Sequence, residues 1–197
     1  MSPRTDIQFE EIREEKRELI LQTGLTLFAT DGYHNVSVSD IARAANISKG
    51  LMYNYFRSKE DLLSTIVQKG FKDIADAFDV DNDGILTQHE LGFFIDYTFK
   101  TLKANKQFWR LYFMLILQPD VFEIVKKEYN IIKEKIGMIA HAFFRQQGVE
   151  DPKREMMVLA ALIEGMAFQF VFTEDRGNYP LHIMEDYIYQ KYGLNKK

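Results

Sequence analysis

The sequence predicts an all-α protein, with an N-terminal three-helix DNA-binding domain of the helix-turn-helix type and a larger C-terminal helical bundle. Apolar residues recur at helical spacing along most of the chain, and no segment alternates as a strand does. Two short capped helices lie in tandem near the N-terminus. We place the domain boundary between residues 58 and 59, giving domains 1–58 and 59–197. No long linker separates the two domains.

The first of the two short helices is predicted from its ends and its apolar face. Ser37 and Asp40 have the spacing of a capping box, and Asn46 can adopt the left-handed conformation that ends a helix. Ser48 is a good N-cap for the next helix. One helical face carries the apolar residues Val38, Ile41, Ala42 and Ala45.

The second short helix, predicted over 49–56, has two chemically different faces. Met52 and Phe56 are spaced to pack inward. The outward face suits a DNA groove, because an ammonium can reach phosphate or guanine, an amide can read adenine, and glycine lets the backbone approach the duplex. Its residues are Lys49, Gly50, Tyr53 and Asn54, with Leu51 and Tyr55 on the flanks. The alternative is an ordinary surface helix, but packing alone gives no reason for two exposed tyrosines beside a Lys-Gly pair.

Segment 20–63 resembles the TetR family of bacterial transcription regulators. The resemblance is carried by LFATDGYHNVSVSDIA, ISKGLMYNYF and SKEDLL. It implies an all-helical homodimer that binds palindromic operator DNA, usually as a repressor released by a small apolar or amphipathic effector. It also implies that the helix leaving the DNA-binding domain transmits changes from the C-terminal domain. The family's DNA-contact pattern falls on Lys49, Gly50, Leu51, Tyr53, Asn54, Tyr55 and Lys59.

Composition bounds the class of protein. The formal net charge is −4, so any positive charge for DNA must be local, and Arg43, Lys49, Arg57 and Lys59 supply it around the two short helices. The absence of cysteine excludes disulfides and thiolate metal sites, which fits the cytoplasm. We expect no membrane span, because Glu164 interrupts the longest apolar stretch. The alternating charges over 10–18 favour a solvated, ion-paired helix over direct DNA contact.

Residues 79–90, DVDNDGILTQHE, have the spacing of an EF-hand calcium loop. Calcium prefers many oxygen ligands, and Gly84 falls where the loop turns sharply. Carboxylates occupy the first, third, fifth and twelfth positions, while a backbone carbonyl and a hydroxyl complete the predicted ligand set of Asp79, Asp81, Asp83, Ile85, Thr87 and Glu90. Leu86 is predicted to point inward.

An ion-free loop is the alternative reading of this segment. Asp, Asn and Gly are also common turn residues, and Thr87 with Glu90 has capping-box spacing. EF-hands usually work in pairs, and only one is visible here. Four carboxylates in a short loop nevertheless repel one another without a cation, so we expect a Ca²⁺ site that either stabilises the fold or biases DNA affinity.

The C-terminal domain is rich in aromatic residues that can line an effector cavity. The predicted lining residues are Trp109, Tyr112, Phe113, Phe144 and Phe168, although the same residues could form the core and the dimer interface. The last two predicted helices, 152–173 and 181–192, lie where the resembled family builds its dimer interface.

An enzyme is a poor fit to this sequence, because none of its four histidines stands in a metal-binding or Ser-His-Asp type arrangement. A calcium-binding sensor or interaction protein without an operator is the other alternative. Sequence-selective, salt-dependent DNA binding would separate the regulator from the sensor.

Overall fold

The computed structural model describes residues 6–173 and 179–194, which form α-helices and no strand. The helical bundle predicted from the sequence is therefore confirmed. Its helices are α1 Asp6–Asp31, α2 Val38–Ala44, α3 Lys49–Tyr55, α4 Lys59–Phe78, α5 Gln88–Ala104, α6 Lys106–Ile116, α7 Pro119–Gln146, α8 Pro152–Phe172 and α9 Leu181–Lys191.

The N-terminal domain consists of α1, α2 and α3, and its local structure follows from its caps. The Ser37 hydroxyl accepts a hydrogen bond from the Asp40 amide, and the Asp40 carboxylate bonds back to Ser37, which completes the predicted capping box. Asn46 has a φ of 52°, so it makes the left-handed turn between α2 and α3. Ser48 then caps α3 through the Leu51 amide. These contacts define the turn between α2 and α3.

Helix α4 connects the N-terminal domain to the rest of the chain. It packs against α1 at one end and against α5 and α7 along its length. Its contact with α6 is close at Gly70, where a Cβ atom would lie 1.9 Å from Cε2 of Phe108. Only glycine fits this position without displacing the Phe108 ring.

The C-terminal domain is a bundle of α4 to α9. Helix α8 packs on α6, α7 and α9. By length and composition α8 could cross a membrane, a test that core helices of globular proteins also pass, and a third of its most apolar window is buried in this chain. The buried face of α8 joins the core, and its outer face stays apolar and uncovered.

Side-chain contacts also join the two domains. The Lys69 ammonium pairs with Glu18 of α1 at 2.6 Å. Gln107 of α6 accepts a hydrogen bond from Thr26 of α1. His34, in the loop after α1, lies 3.0 Å from Asp120 at the start of α7. A change in the position of α6 or α7 would therefore alter their contacts with the N-terminal domain.

Candidate nucleic-acid interface and effector cavity

Helix α3 presents the two faces that the sequence predicts. Met52 and Phe56 are buried against α1 and α2, at 1% and 2% exposure. Tyr53 is 48% exposed, and Lys49 and Asn54 are also exposed. The outward face therefore carries a phenol, an amide and an ammonium with no competing role in the core.

Gly50 lies on this outward face without a structural reason to be glycine. Its conformation is helical, and a Cβ atom would find only the Ser48 hydroxyl, 3.9 Å away. Glycine inside a helix lowers stability relative to alanine. The chain thus keeps an unfavourable residue at a point where space is free in the isolated molecule, which fits close approach of another molecule.

Two flanking residues and Lys59 are less available than the central four. Leu51 and Tyr55 are half-buried, and Tyr55 packs against the core. The Lys59 ammonium donates hydrogen bonds to the carbonyl oxygens of Tyr33 and Val36, each at 2.9 Å. Lys59 thus holds the loop between α1 and α2, a role in the fold that the sequence did not reveal, and its predicted phosphate contact stays a prediction.

Charge around this surface is arranged by local hydrogen bonds. The Ser37 hydroxyl and amide lower the pKa of Asp40, which keeps it ionised beside Arg43. Burial, followed by a hydrogen bond to Glu60, raises the pKa of Tyr33, so this phenol stays a donor. Along α1, Arg13 and Arg17 pair with glutamates of their own helix, as the alternating charge pattern favoured.

A cavity of about 320 Å³ lies in the C-terminal domain between α4, α5, α6, α7 and α8. Of the five predicted lining residues, it is lined by Trp109, Tyr112 and Phe144. Most of its wall is apolar. Phe71, Ile74 and Phe78 of α4 form one side, so a molecule in the cavity would touch the helix that leads to the DNA-binding domain.

Phe113 and Phe168, the other two predicted residues, do not line this cavity, so their contact with an effector stays a prediction. Phe113 follows Tyr112 on α6 and therefore points about 100° further around the helix. Its ring meets that of Phe168 at 5.3 Å in an edge-on contact. Phe168 is itself 42% exposed on α8, beside Phe172. This aromatic cluster belongs to the outer face of α8.

Residues 79–87 form the loop between α4 and α5, and residues 88–90 are the first turn of α5. Oxygen atoms of Asp79, Asp81 and Asp83 lie within 4.8 Å of one another. The Gly84 amide donates to Asp79 Oδ1 at 3.2 Å, and Gly84 has a φ of 77°, as its predicted place in the turn requires. Leu86 is buried, as predicted.

The other three predicted ligands lie in a different arrangement. Glu90 Oε2 accepts hydrogen bonds from the amide and hydroxyl of Thr87, so both residues form the capping box of α5. Ile85 donates its amide to Asp83 Oδ1 at 2.7 Å. The structure thus brings three of the carboxylates together and turns the fourth towards the helix cap.

Lys135 of α7 is the residue of this loop region that sequence reasoning missed. Its ammonium lies 3.2 Å from Oδ2 of the buried Asp79 and 3.4 Å from Oδ1 of Asn82. It therefore neutralises part of the carboxylate cluster. No local sequence pattern predicts this contact, because more than fifty residues separate Lys135 from Asp79 and Asn82 in the sequence.

Comparisons with known proteins agree with this geometry. A family model described as bacterial regulatory proteins, tetR family, matches residues 20–66, which include α2 and α3. YuxN, an uncharacterised helix-turn-helix regulator of Bacillus subtilis, is 50% identical over 54 residues, or 27% of this chain and 19% of that protein. DhaS, the dhaKLM operon transcriptional activator of Lactococcus lactis, is 30% identical over 120 residues, or 61% of this chain and 60% of that protein.

The chain therefore spans about a fifth to three fifths of the length of these relatives. Among solved structures, the fatty acid degradation regulator FadR from Bacillus halodurans superimposes with a TM-score of 0.69 at 20% identity, covering 92% of this chain and 97% of that one. This similarity extends the shared fold to the C-terminal domain.

The described residues thus have the architecture of a helix-turn-helix domain joined to a helical bundle, which is the fold of the solved transcriptional regulators that the chain is similar to. Within that architecture, residues 20–66 match the tetR family of bacterial regulatory proteins, and the fold of the described residues is similar to that of a solved tetR-family regulator.

Proposed function

We propose that this protein is a cytoplasmic, ligand-responsive repressor that binds palindromic operator DNA as a homodimer. The observation that carries the proposal is the outward face of α3, where Lys49, Gly50, Tyr53 and Asn54 are exposed on a helix held rigidly by its caps. Amide and ammonium groups read base edges in the major groove, and tyrosine hydroxyls bind phosphate.

Exposed apolar faces on α8 and α9 support the homodimer. On α8, the outer face combines small and aromatic residues at alternating spacings of three and four, namely Val158, Ala161, Gly165, Phe168 and Phe172. On α9, Ile183 and Tyr187 are 56% and 50% exposed at i, i+4 spacing. A second copy of the same faces would cover them in a four-helix interface. The resulting pair of α3 helices would read half-sites roughly 34 to 36 Å apart.

The cavity supports control by an effector. Its wall is shared by α4 and the bundle, so a bound molecule would change the contacts of α4 with α6, α7 and α8. Because α4 begins directly after α3, with Phe56 as the C-cap of α3 and Ser58 as the N-cap of α4, movement of α4 changes the orientation of α3.

Selection of bound duplexes from a random pool, followed by fluorescence anisotropy at several salt concentrations, tests operator binding. We expect a palindromic site and a steep salt dependence. Asn54→Ala should change the base preference or weaken binding by about 1 to 3 kcal/mol. Asn130→Ala, at an exposed asparagine of α7, is the matched control and should bind as the unmodified protein does. A monomer that ignores every duplex at low salt contradicts the proposal.

A reporter gene placed behind the selected operator tests the direction of control. Repression predicts a low signal that rises when the effector is added. The relative DhaS is an activator, so a signal that depends on the protein would replace repression with activation while leaving operator binding intact.

We further propose that residues 79–90 bind Ca²⁺ and that the ion fixes the angle between α4 and α5. Three clustered carboxylates and the positive φ of Gly84 support the proposal. In this proposal Glu90 rotates from its cap towards the cluster, and the Ile85 carbonyl and Thr87 supply the remaining oxygens, as in an EF-hand loop. Lys135 supplies part of the neutralising charge in the absence of calcium.

Isothermal titration calorimetry with Ca²⁺ tests this second proposal. Asp79→Ala and Glu90→Gln should both reduce the measured heat, while Mg²⁺ should bind more weakly because it demands stricter octahedral geometry. Equal heats in the unmodified protein and both variants contradict it. If calcium binds and no duplex does, the calcium-binding sensor or interaction protein without an operator becomes the better account.

A further inference from the structure

Polar side chains are few in the wall of the effector cavity, and they lie at identifiable places. Tyr112 of α6 donates its hydroxyl to Glu164 Oε1 at 3.2 Å. Burial raises the pKa of Tyr112, with a further contribution from the Glu164 charge, so the phenol stays protonated and continues to donate. Lys133 of α7 also reaches the cavity, where its ammonium lies 5.6 Å from the centre of the Tyr129 ring.

Within the part of the chain that the structure describes, the Glu164 carboxylate has no ion-pair partner. Among residues 6–173 and 179–194, no lysine, arginine or histidine forms an ion pair with it, although the structure contains such pairs elsewhere. Lys133, the other charged residue of the cavity wall, is not paired with Glu164, and both residues are exposed to solvent at the cavity's open side. One hydrogen bond from Tyr112 positions the carboxylate but does not neutralise it.

Aromatic rings surround the space that this carboxylate faces. Trp109 and Tyr112 meet edge-on at 5.9 Å, and Phe71 contacts Tyr112 and Tyr129, each at 5.8 Å. All of these residues line the cavity. The face of an aromatic ring attracts a cation, and desolvation strengthens that attraction.

Resting on the proposed function, we propose that the effector is an amphipathic organic cation, with its ammonium group against Glu164 and the rings and its apolar body against Ile136, Phe144 and Met156. The apolar part of the wall accepts an aliphatic or aromatic body, and the unneutralised carboxylate selects positive charge over negative or neutral head groups. Lys133, at the exposed side, excludes no cation because its flexible side chain can extend into solvent.

Trp109 provides a direct measurement, because it is the single tryptophan of the chain and lies in the cavity wall. Its fluorescence can be followed during titration with decyltrimethylammonium, decanol and decanoate, which share an apolar chain and differ in head-group charge. We expect the ammonium compound to bind about 10- to 100-fold more tightly than the other two.

Two variants assign the selectivity to a residue. Glu164→Gln keeps the shape and the acceptor for Tyr112 but removes the charge, so it should abolish the preference for the ammonium compound while leaving decanol binding unchanged. Lys133→Met is the matched control and should keep that preference. Tighter binding of decanoate, lost in Lys133→Met, overturns the proposal, and so does equal binding of all three compounds.

Failure of this inference can be told apart from failure of the proposed function. The titrations need no DNA, so cation selectivity without operator binding would leave the effector class standing and contradict the regulator. Operator binding that is released by decanoate, with no selectivity for the cation, would support the regulator and contradict the proposed effector class.

Discussion

Replacing Gly50 with alanine separates the demands of DNA binding from those of the fold. The new methyl group would point outward from the second helical position of α3, where the nearest atom is the Ser48 hydroxyl at 3.9 Å. No clash arises within the chain. Alanine is favoured over glycine by up to about 1 kcal/mol inside a helix, and by less near its end. We therefore expect unfolding to cost about 0.5 kcal/mol more, which raises Tm by roughly 1 to 2 °C.

The same methyl group should weaken operator binding. If the α3 backbone lies against the duplex, an added methyl forces a separation, and overpacking of a close interface costs about 1 to 3 kcal/mol. That range corresponds to a loss of roughly 5- to 150-fold in affinity. Thermal melting and fluorescence anisotropy with the selected operator measure both effects on one preparation.

Gly92→Ala is the matched control for this experiment. Gly92 lies in α5, where a Cβ atom would find no neighbour within 4 Å, so the added methyl group causes no clash there either. It should gain stability in the same way and bind the operator unchanged. If Gly50→Ala binds DNA as tightly as the unmodified protein, the backbone of α3 does not approach the duplex closely at this point.

Three further substitutions test other parts of the structure. Gly165→Arg places a charged side chain on the outer face of α8, where its Cβ meets nothing in the chain, so we expect a folded monomer in sedimentation analysis in place of a dimer. A dimer that persists would place the interface elsewhere. Lys135→Met removes the ammonium beside Asp79 and should tighten Ca²⁺ binding in calorimetry, whereas weaker binding would show that Lys135 does not compete with the ion. Glu155→Gln should lower stability at neutral pH by about 1 kcal/mol, because it breaks a charge-assisted bond that joins α8 to Lys191 of α9. The hydrogen bond from Lys191, followed by one from the Tyr192 hydroxyl, lowers the pKa of Glu155. The contribution of Glu155 to stability is therefore present above the ordinary carboxylate pKa and is lost as pH falls through the lowered value. Urea titrations across the acid range should therefore show the two proteins converging at low pH, and a constant difference would contradict this reasoning.

Local sequence was sufficient to predict the N-terminal domain. Ser37, Asp40, Asn46 and Ser48 act on neighbours within four residues, so their capping roles can be read from spacing alone. The inward and outward faces of α3 follow from the helical repeat in the same way. Helices α8 and α9 begin at their predicted residues, and each ends one residue before its predicted end.

Features that depend on contacts between residues far apart in sequence could not be predicted in this way. Tyr112 and Phe113 are adjacent and both aromatic, but only the first lines the cavity, because the rotation of α6 is set by its packing on α1 and α8. The contact between Lys135 and Asp79 depends on how α7 crosses the end of α4. Glu164 did leave a signal, as the single charge within the apolar stretch 156–172, although its spacing did not reveal Tyr112 as its partner.

Helices α6 and α4 are in close contact where the Phe108 ring packs on Gly70. A Cβ atom at residue 70 would lie 1.9 Å from the ring, so the ring occupies the space that a side chain at this position would need. Phe108 also touches Phe71, a wall residue of the cavity, edge-on at 6.3 Å. Because Gly70 and Phe71 are neighbours on α4, the Phe108 ring holds α6 against two consecutive residues of that helix, and a methyl group at residue 70 would force the two helices into a new spacing.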